Sequence, residues 1–239
     1  MNHLAVSGSR EKSPQQPYHN SFETFLEGWL VRQEHYLDEL LSVERCCGDS
    51  SDDDLRDLIE RVLSHYNQYY EHKSIAANHD VFRLFAPSYF SPLEQSFLWI
   101  AGFKPVSALK LATSAVEDLS EEQRLKLQRL IEETRVEERG LADDLAKIQE
   151  SVAAPPILET VRSFGRDSVE AIETVRARLE SVVGNADSLR TGTAAKVAEI
   201  LSPVQNVRFF TAVTKLQVNV RNWGKQRDAE QHWKALGRW

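Results

Sequence analysis

SEEQRLKLQRLIEETRVEERGLADDLAKIQESV, residues 120–152, is the stretch from which the fold class follows. Leu127, Ile131, Thr134, Glu138, Leu141, Leu145, Ile148 and Val152 recur at alternating spacings of four and three. That period marks one face of an α-helix and excludes a strand, whose side chains alternate every second residue. Ser120, followed by Glu121, Glu122 and Gln123, supplies the start. A serine oxygen can accept the N–H three residues on, while the glutamine there reaches back. At 1.5 Å per residue such a helix is roughly 50 Å long. Pro155-Pro156 ends or kinks it, because proline lacks the N–H the helix needs and clashes with the preceding turn.

The same period extends outward in both directions. Towards the C-terminus, Leu158, Val161, Ile172, Val175, Leu179 and Val182 mark a partner helix, with Gly165 and Ser168 leaving a gap in its seam. Two further segments follow, one near Thr193 to Leu201 and one from Pro203 to about Gln226, the latter carrying Phe209, Val213, Leu216, Val220 and Trp223. Towards the N-terminus, Phe22, Leu26, Trp29, Gln33, Tyr36, Leu37 and Leu40 form a stripe with Asn20 or Ser21 as its cap. Gly48-Asp49-Ser50-Ser51 breaks the chain, and Asp52 to Asp54 start a helix striped by Leu55, Leu58, Ile59, Val62, Tyr66, Tyr69 and Tyr70. After a loop around Pro87, Ser91-Pro92 reads as a cap with proline at the first helical position. The helix it starts is expected to run through Leu93, Phe97, Leu98 and Ile100 to Gly102, and Pro105 starts another to about Val116. The expectation is an all-α, bundle-like single domain of long amphipathic helices. It divides into a flexible polar arm at 1–17, a helical domain at 18–232 and a basic aromatic tail at 233–239.

Composition narrows the function. The chain has 239 residues, is 41% hydrophobic and 27% charged, and carries a net charge of −7, which places it among globular rather than disordered sequences. Its longest near-continuous apolar run, Phe97 to Phe103, is seven residues, against about 20 for a membrane span. The segment from Val204 to Trp239 has a net charge of +5 and the remainder −12, so an acidic body meets a basic end. Cys46 and Cys47 are adjacent, which suits two reduced thiols better than an unstrained disulfide.

Catalytic and metal-binding signatures fail one by one. No GxG pair exists to cradle a dinucleotide, and no H-E-x-x-H occurs. Asp49, Ser51, Asp53 and Glu60 imitate a calcium loop, but Asp54 stands where the sharp turn requires glycine. His65, His72 and His79 are seven residues apart, about 10.5 Å along a helix, too far for two to share one metal. The expectation is no enzyme, no metal and no cofactor.

The stretch from Tyr89 to Pro105, YFSPLEQSFLWIAGFKP, resembles a signature of the plant Delay of Germination, or seed dormancy control, family. This domain is shared with the C-terminal region of TGA-type bZIP transcription factors. Its motif positions here are Ser91, Pro92, Leu93, Glu94, Phe97, Leu98, Trp99, Gly102 and Phe103. A second match comprises Ser202, Pro203, Val204 and Gln205, with Phe209, Phe210 and Trp223 beyond it. Phe22-x-x-Phe25-Leu26-x-x-Trp29-Leu30 and Leu119-Ser120-x-Glu122-Gln123 fit as well. Most of these positions read as structural: Trp99 and Phe103 as apolar anchors, Pro92 as a helix start, Gly102 as the turn between two short helices.

The resemblance implies a regulator of nucleus and cytoplasm that acts through protein partners. These would be a type 2C protein phosphatase in abscisic acid signalling, or a transcription factor or co-activator. It implies phosphatase contact through Phe25, Leu26, Glu27 and Trp29. Direct DNA binding is not expected, since no basic-region helix or zipper precedes the first helix and the net charge is negative. An alternative is a helical domain holding haem or a lipid, for which a seam gap at Thr134, Glu138, Gly165 and Ser168 offers room; a further one is a transcription-related regulator. At the two places where the dormancy branch carries haem-ligating histidines, this chain has Gln217 and Arg221. Glutamine is a poor iron ligand and arginine stays protonated, so haem is not expected there.

Overall fold

Four serines set where helices begin. Ser51, Ser91, Ser120 and Ser202 each accept the N–H of the residue three positions on, at 3.2–3.3 Å. The side chains of Asp54, Glu94, Gln123 and Gln205 in turn accept the serine N–H, at 2.8–3.3 Å. Each box satisfies backbone donors that a helix start leaves without partners. The computed structural model describes residues 16–45, 50–151 and 166–236, and every regular element within them is an α-helix. In chain order they are α1 (Gln16–Arg45), α2 (Asp52–Asp80), α3 (Phe82–Phe85), α4 (Pro92–Ser96), α5 (Pro105–Ala115), α6 (Glu121–Ser151), α7 (Arg166–Ile200) and α8 (Pro203–Leu236).

Helices α1, α2 and α8 pack together, and α6 pairs with α7. Short α5 lies against α6, α7 and α8, while α2 touches both α7 and α8, so the two groups form one bundle. One apolar core gathers Leu40, Leu58, Leu109, Leu127, Val197 and Phe209 from six helices; a second gathers Ala77, Ile100, Ile148, Val183 and Ala186. The long α6 seam is seated as its period requires, with Leu127, Ile131, Thr134, Glu138 and Ile148 buried. Glu138 has a specific duty: its carboxylate accepts the N–H of Val106 at 2.9 Å and so caps α5, whose first residue is Pro105.

Several sequence expectations need correction. Helix α4 ends at Ser96 rather than Gly102, and Phe97 is 52% exposed. No break separates Val182 from Thr193. Helix α7 passes through Gly184 and Gly192, carried by Val182, Val183, Ala186 and Val197 buried on its inner face. Packing on that face outweighs a glycine cost of roughly 1 kcal/mol each. Ile172, Leu216 and Trp223, read as seam positions, are exposed. Asn20 and Ser21 lie inside α1, which begins at Gln16, and α8 continues past Gln226 to Leu236. Residues 1–15 of the expected arm, Cys46, Cys47, Val152, Pro155-Pro156, Leu158, Val161, Gly165 and residues 237–239 lie outside the described residues.

Candidate functional site

The loop between α4 and α5 is built around a cation. Ile100 and Ala101 hold φ of 45° and 55°, a left-handed conformation rare for residues with a side chain. The reason lies opposite them. The Arg190 guanidinium donates to the carbonyls of Trp99, Ile100 and Phe103, and the loop bends to aim all three at it. Trp99 covers the guanidinium face at 5.4 Å, a cation–π contact, and Lys104 lies 5.9 Å from the same ring. Trp99 is therefore a half-buried cover of an ionic centre, and Phe103, whose carbonyl accepts from Arg190, is half-buried as well; neither belongs to the fully buried core. Gly102 keeps a negative φ, and its small size serves the close approach of Arg190.

Arg190 shares Asp187 with Lys73. Lys73 Nζ donates to Asp187 Oδ1 at 2.8 Å, and Arg190 Nη1 donates to the same oxygen. Lys73 is 1% exposed. Burial lowers its pKa to about 8, with Asp187 opposing the shift and Arg190 adding to it. The period puts position 73 on the inner face of α2, three residues after Tyr70 and four before buried Ala77, but a lysine does not extend an apolar stripe; its partners lie more than 110 positions away.

Beside this triad lies a cavity of about 190 Å³. Its wall draws on Leu26, Trp29 and Gln33 of α1, Tyr66, Tyr69, Tyr70 and Lys73 of α2, and Phe209, Phe210, Val213, Gln217 and Arg221 of α8. Gln33 donates to the Tyr66 hydroxyl at 2.8 Å and to Gln217 Oε1 at 2.9 Å. Tyr66 donates to Gln217 at 2.8 Å and lies 3.1 Å from the Thr214 hydroxyl. Burial pushes the Tyr66 pKa up to about 12, so this network stays neutral at physiological pH. One turn beyond Gln217, Arg221 Nη1 donates to Glu94 Oε1 at 3.0 Å, tying α8 to the α4 cap. The Gly224 backbone comes so near Ser91 that a Cβ would lie 2.0 Å from its hydroxyl oxygen.

The two places at which the dormancy branch carries haem-ligating histidines are thus committed to other work. Gln217 and Arg221 offer an amide oxygen and a paired guanidinium, which do not fit iron ligation. Thr134 and Glu138, expected to border a mid-bundle gap, are buried and do not line the cavity, and Glu138 is occupied by the α5 cap. His65 is buried, its ring 4.5 Å from that of Trp29 and 4.9 Å from that of Tyr36, while His72 stacks on Phe25 at 3.6 Å.

Of the four positions implied for partner contact, Leu26 and Trp29 are buried, and Trp29 Nε1 donates to the His65 carbonyl at 2.8 Å. Phe25 is half-buried and Glu27 faces solvent, with Val31 one turn on at 57% exposure. The Ser120 cap of α6 and the Ser202 cap of α8 meet. Gln123 Nε2 donates to Gln205 Oε1 at 2.8 Å and to the Ile200 carbonyl at 2.9 Å, while Gln205 Nε2 donates to the Asp118 carbonyl at 3.1 Å. Ser202 and Gln205 thus serve as a cap and an interhelix lock. Pro203 occupies the first position of α8, and Val204 packs at the edge of the larger core.

Residues 36–114 match the family model described as seed dormancy control. Over 226 residues the chain is 33% identical to Protein RESPONSE TO ABA AND SALT 1 of Arabidopsis thaliana, covering 87% of this chain and 96% of that one. Protein ZW2 of the same plant is 32% identical over 216 residues, covering 85% and 96%. Transcription factor TGA7, also from Arabidopsis thaliana, is 31% identical over 196 residues; the match spans 81% of this chain and 52% of the factor.

Proposed function

The chain belongs to the seed dormancy control family, and from that premise we propose that it is a non-enzymatic regulatory domain acting through protein contacts in nucleus and cytoplasm. Its partner is a type 2C protein phosphatase of abscisic acid signalling, with a transcription factor or co-activator as the second choice. The observation that carries this reading is the alignment along 96% of a relative named for its response to ABA and salt. Glu27 and Val31 support it locally, as an acidic and an apolar residue placed i, i+4 on the solvent face of α1. Leu26 and Trp29 set the rotation of that helix from within, so the exposed pair is presented on a rigid support.

The test is direct binding to a panel of purified plant type 2C phosphatases, comparing the unaltered chain with Glu27→Lys and Val31→Asp. Both positions are exposed, so melting temperatures should hold while affinity falls about tenfold or more if the face is the central contact. Unchanged affinity in both variants removes α1 from the interface. Absence of binding to every phosphatase removes that partner class and leaves the transcriptional one.

A further inference from the structure

We propose that the buried Lys73–Asp187–Arg190 cluster is a pH-responsive clamp that holds the loop between α4 and α5 more firmly in mildly alkaline solution, a device independent of the α1 surface. The cluster carries a mismatch of charge. Lys73 Nζ and Arg190 Nη1 donate to the same carboxylate oxygen of Asp187, and the two cationic side chains are only 1% and 5% exposed. Two buried cations share one anion, so one positive charge is in excess where water does not solvate it. The cluster sheds that charge by losing a proton. Only the lysine can lose it, because a guanidinium stays protonated in proteins.

The aromatic groups around the cluster leave the excess in place. Tyr70 of α2 presents its ring 5.9 Å from Lys73 Nζ, and Tyr69 and Tyr70 both lie within electrostatic reach of Asp187 and Arg190. Tyr89, from the segment before α4, acts in turn on Tyr69. Burial raises the pKa of all three phenols, so each stays neutral while Lys73 titrates. Lys104, exposed at the end of the loop, contacts the Trp99 ring and adds no anion.

Arg190 connects this charge to the loop. Its guanidinium accounts for the aim of the Trp99, Ile100 and Phe103 carbonyls, and Ile100 and Ala101 keep a positive φ that persists only where the surroundings enforce it. With Lys73 charged, the Asp187 oxygen is divided between two cations. With Lys73 neutral, Asp187 pairs with Arg190 alone and fixes the guanidinium against the loop. Burial, and after it the Arg190 charge, bring the Lys73 pKa from 10.5 to about 8 against the pull of Asp187. Between pH 8 and 10.5 the folded chain therefore binds fewer protons than the unfolded one. Stability from this site rises with pH through that window and is lost as pH falls through 8.

The test follows isotope-labelled lysine side chains of the full chain by NMR from about pH 6.5 to 10. Amide hydrogen exchange is measured alongside at Trp99 and Gly102, whose N–H groups close the loop by donating to each other's carbonyl. One lysine signal should titrate near pH 8 and vanish in Lys73→Met. Protection of the two amides, corrected for base-catalysed exchange, should rise about threefold or more from pH 7 to 9 in the unaltered chain and not in the variant. Titration of every lysine signal near pH 10 or above would overturn the proposal. So would loop protection that fails to rise, or that rises equally in Lys73→Met. If Lys73→Met does not fold, the lysine titration and the amide protection of the unaltered chain still decide.

Discussion

Arg190 occupies the space that a side chain on Gly102 would need: a Cβ there would stand 2.7 Å from Arg190 Cζ and 2.9 Å from Nε. The guanidinium has little freedom to retreat, since three loop carbonyls and Asp187 hold it from separate directions. Gly102→Ala should therefore destabilise the protein by about 1–3 kcal/mol, the range for forcing extra atoms into a packed site. Urea unfolding followed by tryptophan fluorescence gives the value. A loss under about 0.5 kcal/mol, the scatter of neutral surface changes, would show that the loop yields and the contact is soft.

The Lys73–Asp187–Arg190 triad predicts an asymmetry between its members. Asp187→Asn leaves two buried cations without an anion and should cost about 3–5 kcal/mol. Lys73→Met removes one cation, keeps the Asp187–Arg190 pair and fills similar volume, so it should cost far less, within about 1.5 kcal/mol. Paired denaturation curves measure both. Equal losses would mean that Lys73 and Arg190 do not compete for the same carboxylate.

His65 predicts a pH dependence. Burial, with Arg32 nearby adding to it, lowers its pKa from 6.5 to about 4, so the folded protein keeps the ring neutral where the unfolded chain protonates it. Between pH 6.5 and 4 the unfolded state binds more protons, and stability falls as pH falls through that window. Above pH 6.5 the contribution is constant. The loss from this group reaches about 3 kcal/mol near pH 4. His65→Phe retains a flat ring against Trp29 without a titrating nitrogen, and should flatten the acid limb of a plot of stability against pH. Superimposable plots for the two proteins would refute the assignment.

The helices were legible because their information is local. The stripe of α6 and the Ser-Pro starts of α4 and α8 are spacings within one segment, and the structure seats each where the period requires. The end of α4 was not legible. Leu98, Trp99 and Ile100 are good helix residues by pattern, yet Arg190, about 90 positions later, holds the carbonyls of Trp99 and Ile100 out of helical geometry. Trp223 and Leu216 failed because the buried line of α8 runs through Thr211, Thr214, Val220 and Gly224, most of them small or polar residues that a hydrophobic period does not mark.

The candidate site shows the same division more sharply. Gln33, Lys73, Gln217 and Arg221 are ordinary polar residues on amphipathic helices; Gln217 and Arg221 lie one turn apart, but Gln33 and Lys73 stand on other helices, so no local spacing joins the four. Local periodicity settles which residues become helices, because backbone hydrogen bonds reach four residues and side-chain stripes repeat every three or four. It puts Gln33 and position 73 on inward faces, but it cannot say which partners make their burial tolerable. Lys73 is buried because Asp187 meets it from α7, and Gln33 because Tyr66 and Gln217 meet it from α2 and α8. Burying a charge or an amide is tolerable only where a partner replaces water, and those partners are supplied by the packing of distant helices.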